Sequence, residues 1–271
     1  MASSEVAICN SALIKLGAAE ISSLSDTNKR AQLCNAQYSK LRDELLRSHP
    51  WNFAIGRKVL SLDSFIFIDG DVTTGTDQIT ETGHGRITGE KLRLTTTGVL
   101  PTPLELATDY FLVKVDDNNF KLATTVQYAY DGTVIDITAA AGTGNHKVQM
   151  KPSFEYDNQY ILPTDYLRGI RLDDKEDKFT IEGGKLLTNN AEVLLLYIKQ
   201  VTDTTLFDTS FDELLALMIA NDLSYPLVQS NSLKATIQAE LNLKLRDVRS
   251  TDAQEGNAEE FEANTWANSR L

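Results

Sequence analysis

Three histidines, two cysteines and several Asp and Glu clusters are the residues of this chain that could do chemistry. A metal site needs His and Cys at helical or Cys-x-x-Cys spacing. His49, His84 and His146 stand far apart, and Cys9 and Cys34 lack that spacing. His84 sits between Gly83 and Gly85, where a turn residue is the simplest reading. His49 precedes Pro50 at a helix end, where it suits the helix dipole. Asp69, Asp71 and Asp77, or Asp116 and Asp117, could gather oxygens around Ca²⁺. Neither set follows an EF-hand order, and such clusters more often build turns. Asp173, Asp174, Glu176 and Asp177 read as a solvated acidic loop, not as paired carboxylates with split pKa values. Gly142-Thr143-Gly144-Asn145-His146-Lys147 lacks the residue order of a phosphate loop, and no helix follows it. No Gly-x-Ser-x-Gly elbow occurs, and neither cysteine has a histidine near it in sequence. The expectation is a protein that is not an enzyme and needs no cofactor or metal.

Composition narrows the class further. Against 38 acidic residues stand 26 Lys and Arg, a formal charge of −12, which argues against a sequence-specific reader of DNA. The same acidity suits a surface that must repel nucleic acid. No apolar run is long enough to span a bilayer, and Met1-Ala2-Ser3-Ser4-Glu5 does not open a secretory signal. Two cysteines are too few for a disulfide framework and fit assembly in a reducing, intracellular setting.

The elements that must position these residues fall into three stretches. Residues 1–62 read as helical up to Pro50. Val6, Cys9, Leu13 and Leu16 form one apolar stripe, capped by Ser3 or Ser4 and closed by Gly17. Asp26 is the expected cap of a second helix with Cys34, Tyr38, Leu41 and Leu45 on its stripe, ended by Pro50. Trp51 to Gly56 then alternates like a strand. Residues 63–150 are rich in Thr, Val, Ile and Gly, with turn clusters between short strands. They read as an inserted all-β sandwich- or barrel-like domain. Within it, Phe111 to Thr124 reads as a hairpin around Asp116-Asp117-Asn118-Asn119. Residues 151–250 show strand segments at 160–163, 167–172 and 193–201, and a hairpin around Gly183-Gly184. Ser210-Phe211-Asp212-Glu213 is a capping box opening a helix that is apolar on most of its circumference, which Pro226 kinks or ends. Leu233, Ile237, Leu241, Leu245 and Val248 stripe a fourth helix. From Ser250 periodicity is lost, and 251–271 reads as an arm that orders on a partner. The expected fold class is α+β: a bundle of about four helices, formed by 1–62 and 151–250, with a small β-sheet or hairpin part and the β insertion.

Outside the insertion, the chain resembles the tail tubular protein A family, the head-to-tail adaptors of short-tailed bacteriophages. The resemblance rests on Asn10-Ser11 through Leu16-Gly17, Arg47-Ser48-His49-Pro50-Trp51-Asn52-Phe53-Ala54 and Leu162 to Arg168. It continues through Glu182 to Asn189, Leu196-Tyr197-Ile198, Asp203 to Phe207, Phe211 to Tyr225 and Arg249 to Gln254. It implies a structural virion protein of the phage neck, made in the host cytoplasm and assembled as a homo-oligomeric, dodecameric ring. Such a ring binds the portal protein, docks the tail nozzle protein (tail tubular protein B-like) and extends the channel for DNA ejection. DNA would pass without sequence-specific binding, and no membrane is involved. The segment 63–150 departs from the family pattern and resembles β modules of other phage virion proteins; there it would project outward and hold a tail fibre or appendage.

Candidate portal or subunit contacts are Trp51, Phe53, Phe211, Phe261, Trp266 and Leu271. For Trp51 and Phe53, packing in the core is the simpler reading. Two rivals stand beside the adaptor. One is a glycan-, receptor- or fibre-binding module on an oligomerising helical base, for which Phe111, Phe120, Tyr110, Tyr128 and Tyr130 are the available aromatics. The other is a hydrolase of cell-wall polymer using carboxylates among Asp116, Asp117, Asp131 and Asp136.

Overall fold

The computed structural model describes residues 4–139, 144–174 and 176–254. In chain order the helices are α1 (Glu5–Lys15), α2 (Lys29–Ser48), α3 (Val126–Asp131), α4 (Thr209–Val228) and α5 (Asn231–Gln254). The strands begin with β1 (Ile55–Val59), β2 (Ser64–Ile68), β3 (Val72–Thr73), β4 (Gln78–Thr80) and β5 (Lys91–Thr96). Next come β6 (Asp109–Lys114), β7 (Asn119–Ala123), β8 (Asn145–Lys151) and β9 (Asn158–Ile161). The last are β10 (Tyr166–Leu172), β11 (Thr180–Glu182), β12 (Lys185–Thr188) and β13 (Leu194–Lys199).

The expected architecture, a bundle of about four helices with a small β part and an inserted all-β domain, is contradicted by a chain that is mostly β-sheet. Among the described residues thirteen strands form three sheets beside five helices, the last two of which, α4 and α5, are long. Single strands at 160–201 are visible in sequence, but their assembly is not. They build one sheet of order β11-β12-β9 and, with β1, another of order β1-β13-β10. Hydrogen-bond partners that far apart leave no local signature.

The chain divides into two compact units: Met1–Arg57, Asp165–Ile170 and Leu196–Leu271 form the first, and Lys58–Thr164 with Arg171–Leu195 the second. In the first, Ser4 caps α1 by accepting the Ala7 amide at 3.1 Å. Asn28, not Asp26, caps α2, accepting from Ala31 at 2.9 Å. The Asp26 carboxylate is engaged one turn earlier, by the amides of Ser22 and Ser23. Residues 52–54 form a 3-10 turn, so the extended segment expected from Trp51 starts only at Ile55.

Helix α4 starts at Thr209 behind Asp208, ahead of the expected Ser210 box. Its buried residues, among them Phe211, Leu215, Leu217 and Ile219, circle the axis and pack on α1, α2 and α5. Each such side chain contributes about 2 kcal/mol of transfer free energy, so α4 is the spine of this unit. Pro226 lies in its last turn, where one lost backbone bond is tolerated, and Gln229 ends the helix in the left-handed region. On α5, Ile237 and Val248 are buried and Leu233, Leu241 and Leu245 partly so. This helix runs on to Gln254, past the point where its apolar period ends.

The second unit holds the seven-stranded sheet β2-β8-β5-β6-β7-β4-β3. Alternation along β5, β6 and β8 sends Leu92, Leu94, Leu112, Val148 and Met150 to one buried face. The two ends of this order, β2 and β3, are consecutive in sequence, joined by the turn Asp69–Asp71. The Phe65 ring on β2 lies 5.6 Å from that of Phe120 on β7, so the sheet curls back on itself. The 111–124 hairpin is β6–β7, with Lys114 opposite Phe120. In the smaller sheet, Gly183 and Gly184 make the β11–β12 turn at φ of 54° and 76°, backbone that side chains resist. No described helix is long and apolar enough to cross a membrane.

Candidate functional site

Two segments that lie apart in sequence meet in the first unit. Pro50 stops α2 at Ser48, and the chain turns so that the Trp51 indole N–H donates back to Leu45 O at 2.9 Å. The turn presents His49 Nε2 and the Asn52 amide to one side. Arg249 and Asp252, three apart on α5, share the helical face that meets them. The Asp252 carboxylate lies 3.0 Å from His49 Nε2 and accepts the Asn52 amide at 3.1 Å, while Asn52 Nδ2 donates to Asp252 O at 2.7 Å. Arg249 Nη2 reaches Ser48 O and Oγ at 3.4 and 3.3 Å. Burial pushes the His49 pKa below its ordinary value; the Asp252 hydrogen bond and charge offset part of that. At neutral pH the pair is thus a neutral imidazole on a carboxylate, a clasp that fixes the end of α5.

Behind the clasp lies a cluster of rings. Phe211 meets Trp51 at 5.3 Å, Phe53 at 5.0 Å and Phe207 at 4.9 Å between centroids, mostly edge to face. Trp51 and Phe211 are buried and Phe53 half-buried. Of the six candidate contact residues, these three come together at the core cluster of the unit, Trp51 and Phe211 within it and Phe53 packed against it. Phe261, Trp266 and Leu271 lie outside the described residues.

The other chemistry-bearing residues are tied into the second unit's backbone. His84 Nε2 lies 3.0 Å from Asp116 O, and His84 Nδ1 accepts the Arg86 amide, so the Gly83–Gly85 turn is locked onto the β6–β7 turn. Asp116 accepts from Asn119 and from the Asn118 amide, which hold its carboxyl below the usual range, and Asp117 pairs with Lys114. Buried His146 sits between Thr96 Oγ1 at 2.9 Å and Asp69 at 2.8 Å. Among the described residues no group of three or more His, Cys, Asp or Glu is gathered where a metal could be held.

The strongest polar constellation escapes sequence reading. Asp63, 1% exposed, receives both Nη atoms of Arg86 at 2.7 and 3.0 Å, Lys185 Nζ at 3.0 Å and Gln159 Nε2 at 2.9 Å. Burial would push the Asp63 carboxyl up; the hydrogen bonds and charges of Arg86 and Lys185 outweigh it and hold the carboxyl below its ordinary range. Arg86 also lies over the Phe65 ring, 5.7 Å from its centroid. These four residues come from separate stretches, and each alone looks like a solvated polar or charged side chain.

No protein-family model matches this chain, and no curated protein matches it either.

Proposed function

We propose that this chain is a structural virion protein, a head-to-tail adaptor whose copies close side by side into a ring between portal and nozzle and line the DNA path. The observation that carries the reading is the clasp. Two of the segments that resemble the tail tubular protein A family, Arg47 to Ala54 and Arg249 to Gln254, are bound to each other through His49, Asn52 and Asp252. A helix end fixed in this way holds Gln254, the residue before the proposed arm, at a defined place. An arm launched from a defined point can deliver Phe261, Trp266 and Leu271 to a neighbouring protein as hydrophobic anchors. Closure of identical protomers requires heterologous contacts that repeat by rotation, which a rigid helical face supports. The net charge of −12 suits a conduit, since phosphate is not captured by an acidic wall.

The test is native mass spectrometry of the full chain alone and with the portal ring of the virus that encodes it. Addition of multiple copies to the portal is expected, lost in the double variant Phe261→Ala/Trp266→Ala. A chain that stays monomeric with portal present overturns the reading.

A further inference from the structure

The second unit contains a cleft of about 480 Å³ bordered by the loop between β8 and β9, the β11–β12 hairpin and the Asp63 constellation. That is within the size range of small-molecule sites. On its rim Phe154 is 80% exposed, an aromatic ring facing water. The backbone that holds it there is strained. Tyr156 N donates to Phe154 O at 2.9 Å across Glu155, whose φ is 71°, a tight turn with a non-glycine residue at its left-handed centre. The strain is held in place from outside the loop. The Tyr156 hydroxyl lies 2.8 Å from Thr180 Oγ1, and the Asp157 amide donates to Asn189 Oδ1 at 2.9 Å. Strain maintained by neighbouring structure around an exposed ring is a feature of ligand clamps.

The chemistry of the walls selects the ligand. Arg86, Lys91, Lys151 and Lys185 are the cations of the lining and Asp63, Glu90, Glu155 and Glu182 its carboxylates, of which buried Asp63 is already engaged by Arg86, Lys185 and Gln159. Four against four leaves no surplus positive charge to hold a phosphate or a nucleic acid. Interspersed N–H donors and carboxylate acceptors instead match hydroxyl groups, which donate and accept at once. The exposed ring adds a flat apolar surface for the C–H face of a sugar ring. Lys151 lines the cleft, half-buried, and its Nζ is held by a 2.9 Å hydrogen bond to Asn158 Oδ1.

We propose that this cleft binds a saccharide chain, with Phe154 as the stacking platform and Lys151 and Glu182 as hydrogen-bonding groups. The site stands whether or not the protein is an adaptor. In a virion it would give the particle a contact with surface polysaccharide.

The experiment applies the full-length protein to arrayed capsular and O-chain polysaccharides. In parallel, it is titrated by NMR with oligosaccharides of glucose, galactose and N-acetylglucosamine. Binding of at least one saccharide is expected, weakened about ten-fold or more by Phe154→Ala and by Lys151→Ala at unchanged melting temperature. Phe154→Tyr should retain it. The proposal is overturned if no saccharide binds, if both alanine variants bind as well as the parent, or if inorganic phosphate or ATP saturates the site in place of sugar.

Discussion

The carboxylate of Asp252 lies 3.0 Å from Nε2 of His49, a residue 203 positions earlier in the chain. It also receives the Asn52 amide, so a single side chain joins the last helical turn of α5 to the turn after α2. Hydrogen bonds to an ionised group contribute about 1.5–3 kcal/mol net, and removing their acceptor strands the donors. Asp252→Ala should therefore lower stability by about 2 kcal/mol, measured by urea denaturation at neutral pH. Asp252→Asn keeps an oxygen for the Asn52 amide and should lose less. Equal losses in the two variants would show that the amide contact contributes nothing.

The same pair predicts an acid-side weakness. Burial holds the His49 pKa below its ordinary value, so on acidification the unfolded chain takes the proton first. The His49 contribution is complete above about pH 6.5 and is lost as pH falls through the lower folded pKa. The denaturation midpoint should drop as pH falls below about 6.5, and His49→Gln should remove part of that drop. A variant whose pH dependence matches the parent's would refute the assignment.

Phe211 touches the rings of Trp51, Phe53 and Phe207 at the start of α4, so its loss opens a cavity that none of the three can fill alone. Phe211→Ala should cost about 3–5 kcal/mol, and Trp51→Ala a similar amount. Trp51→Phe keeps much of the volume but loses the indole bond to Leu45 O, so it should cost about 1–2 kcal/mol. Because the rings are in contact, the double variant Trp51→Ala/Phe211→Ala should cost less than the sum of the singles. Chemical denaturation of the four proteins checks the coupling.

What could be read from the sequence was what local chemistry decides. The turn residues Asp116 to Asn119 and Gly183-Gly184 announce their hairpins because their side chains or their missing Cβ act within a few residues. Pro50 stops α2 for the same reason. The start of α2 is ambiguous in sequence because Asp26 and Asn28 can both accept a backbone amide, and only the folded turn shows that Ser22 and Ser23 have engaged Asp26. The fold class failed on a larger scale, since pairing of β1, β13 and β10 depends on distant partners. Phe154 carries no signal in sequence because exposure is a property of the assembled loop. The Asp63 constellation stayed hidden because its donors lie 23, 96 and more positions away.

That constellation makes the sharpest prediction for the second unit. Asp63 is almost fully buried with Arg86, Lys185 and Gln159 all donating to it, so its charge organises two cations and an amide. Breaking a buried pair by removing one partner costs about 3–5 kcal/mol, because the remaining charges are left without compensation. Asp63→Asn, which preserves shape, should therefore destabilise the second unit by about that amount. The sign of the pH effect follows from a folded pKa held below the ordinary carboxylate value. The contribution is present above the unfolded pKa of about 3.9 and is lost as pH falls through the lower folded pKa. Hydrogen-exchange protection of peptides from β9 and β12, taken relative to the intrinsic rate at each pH, should thus fall below about pH 4 in the parent chain. In Asp63→Asn, exchange should already be fast at neutral pH and should show no further acid step from this group. Slow exchange in the variant at neutral pH would mean that the sheet is held by its apolar face, with the ion pairs adding nothing.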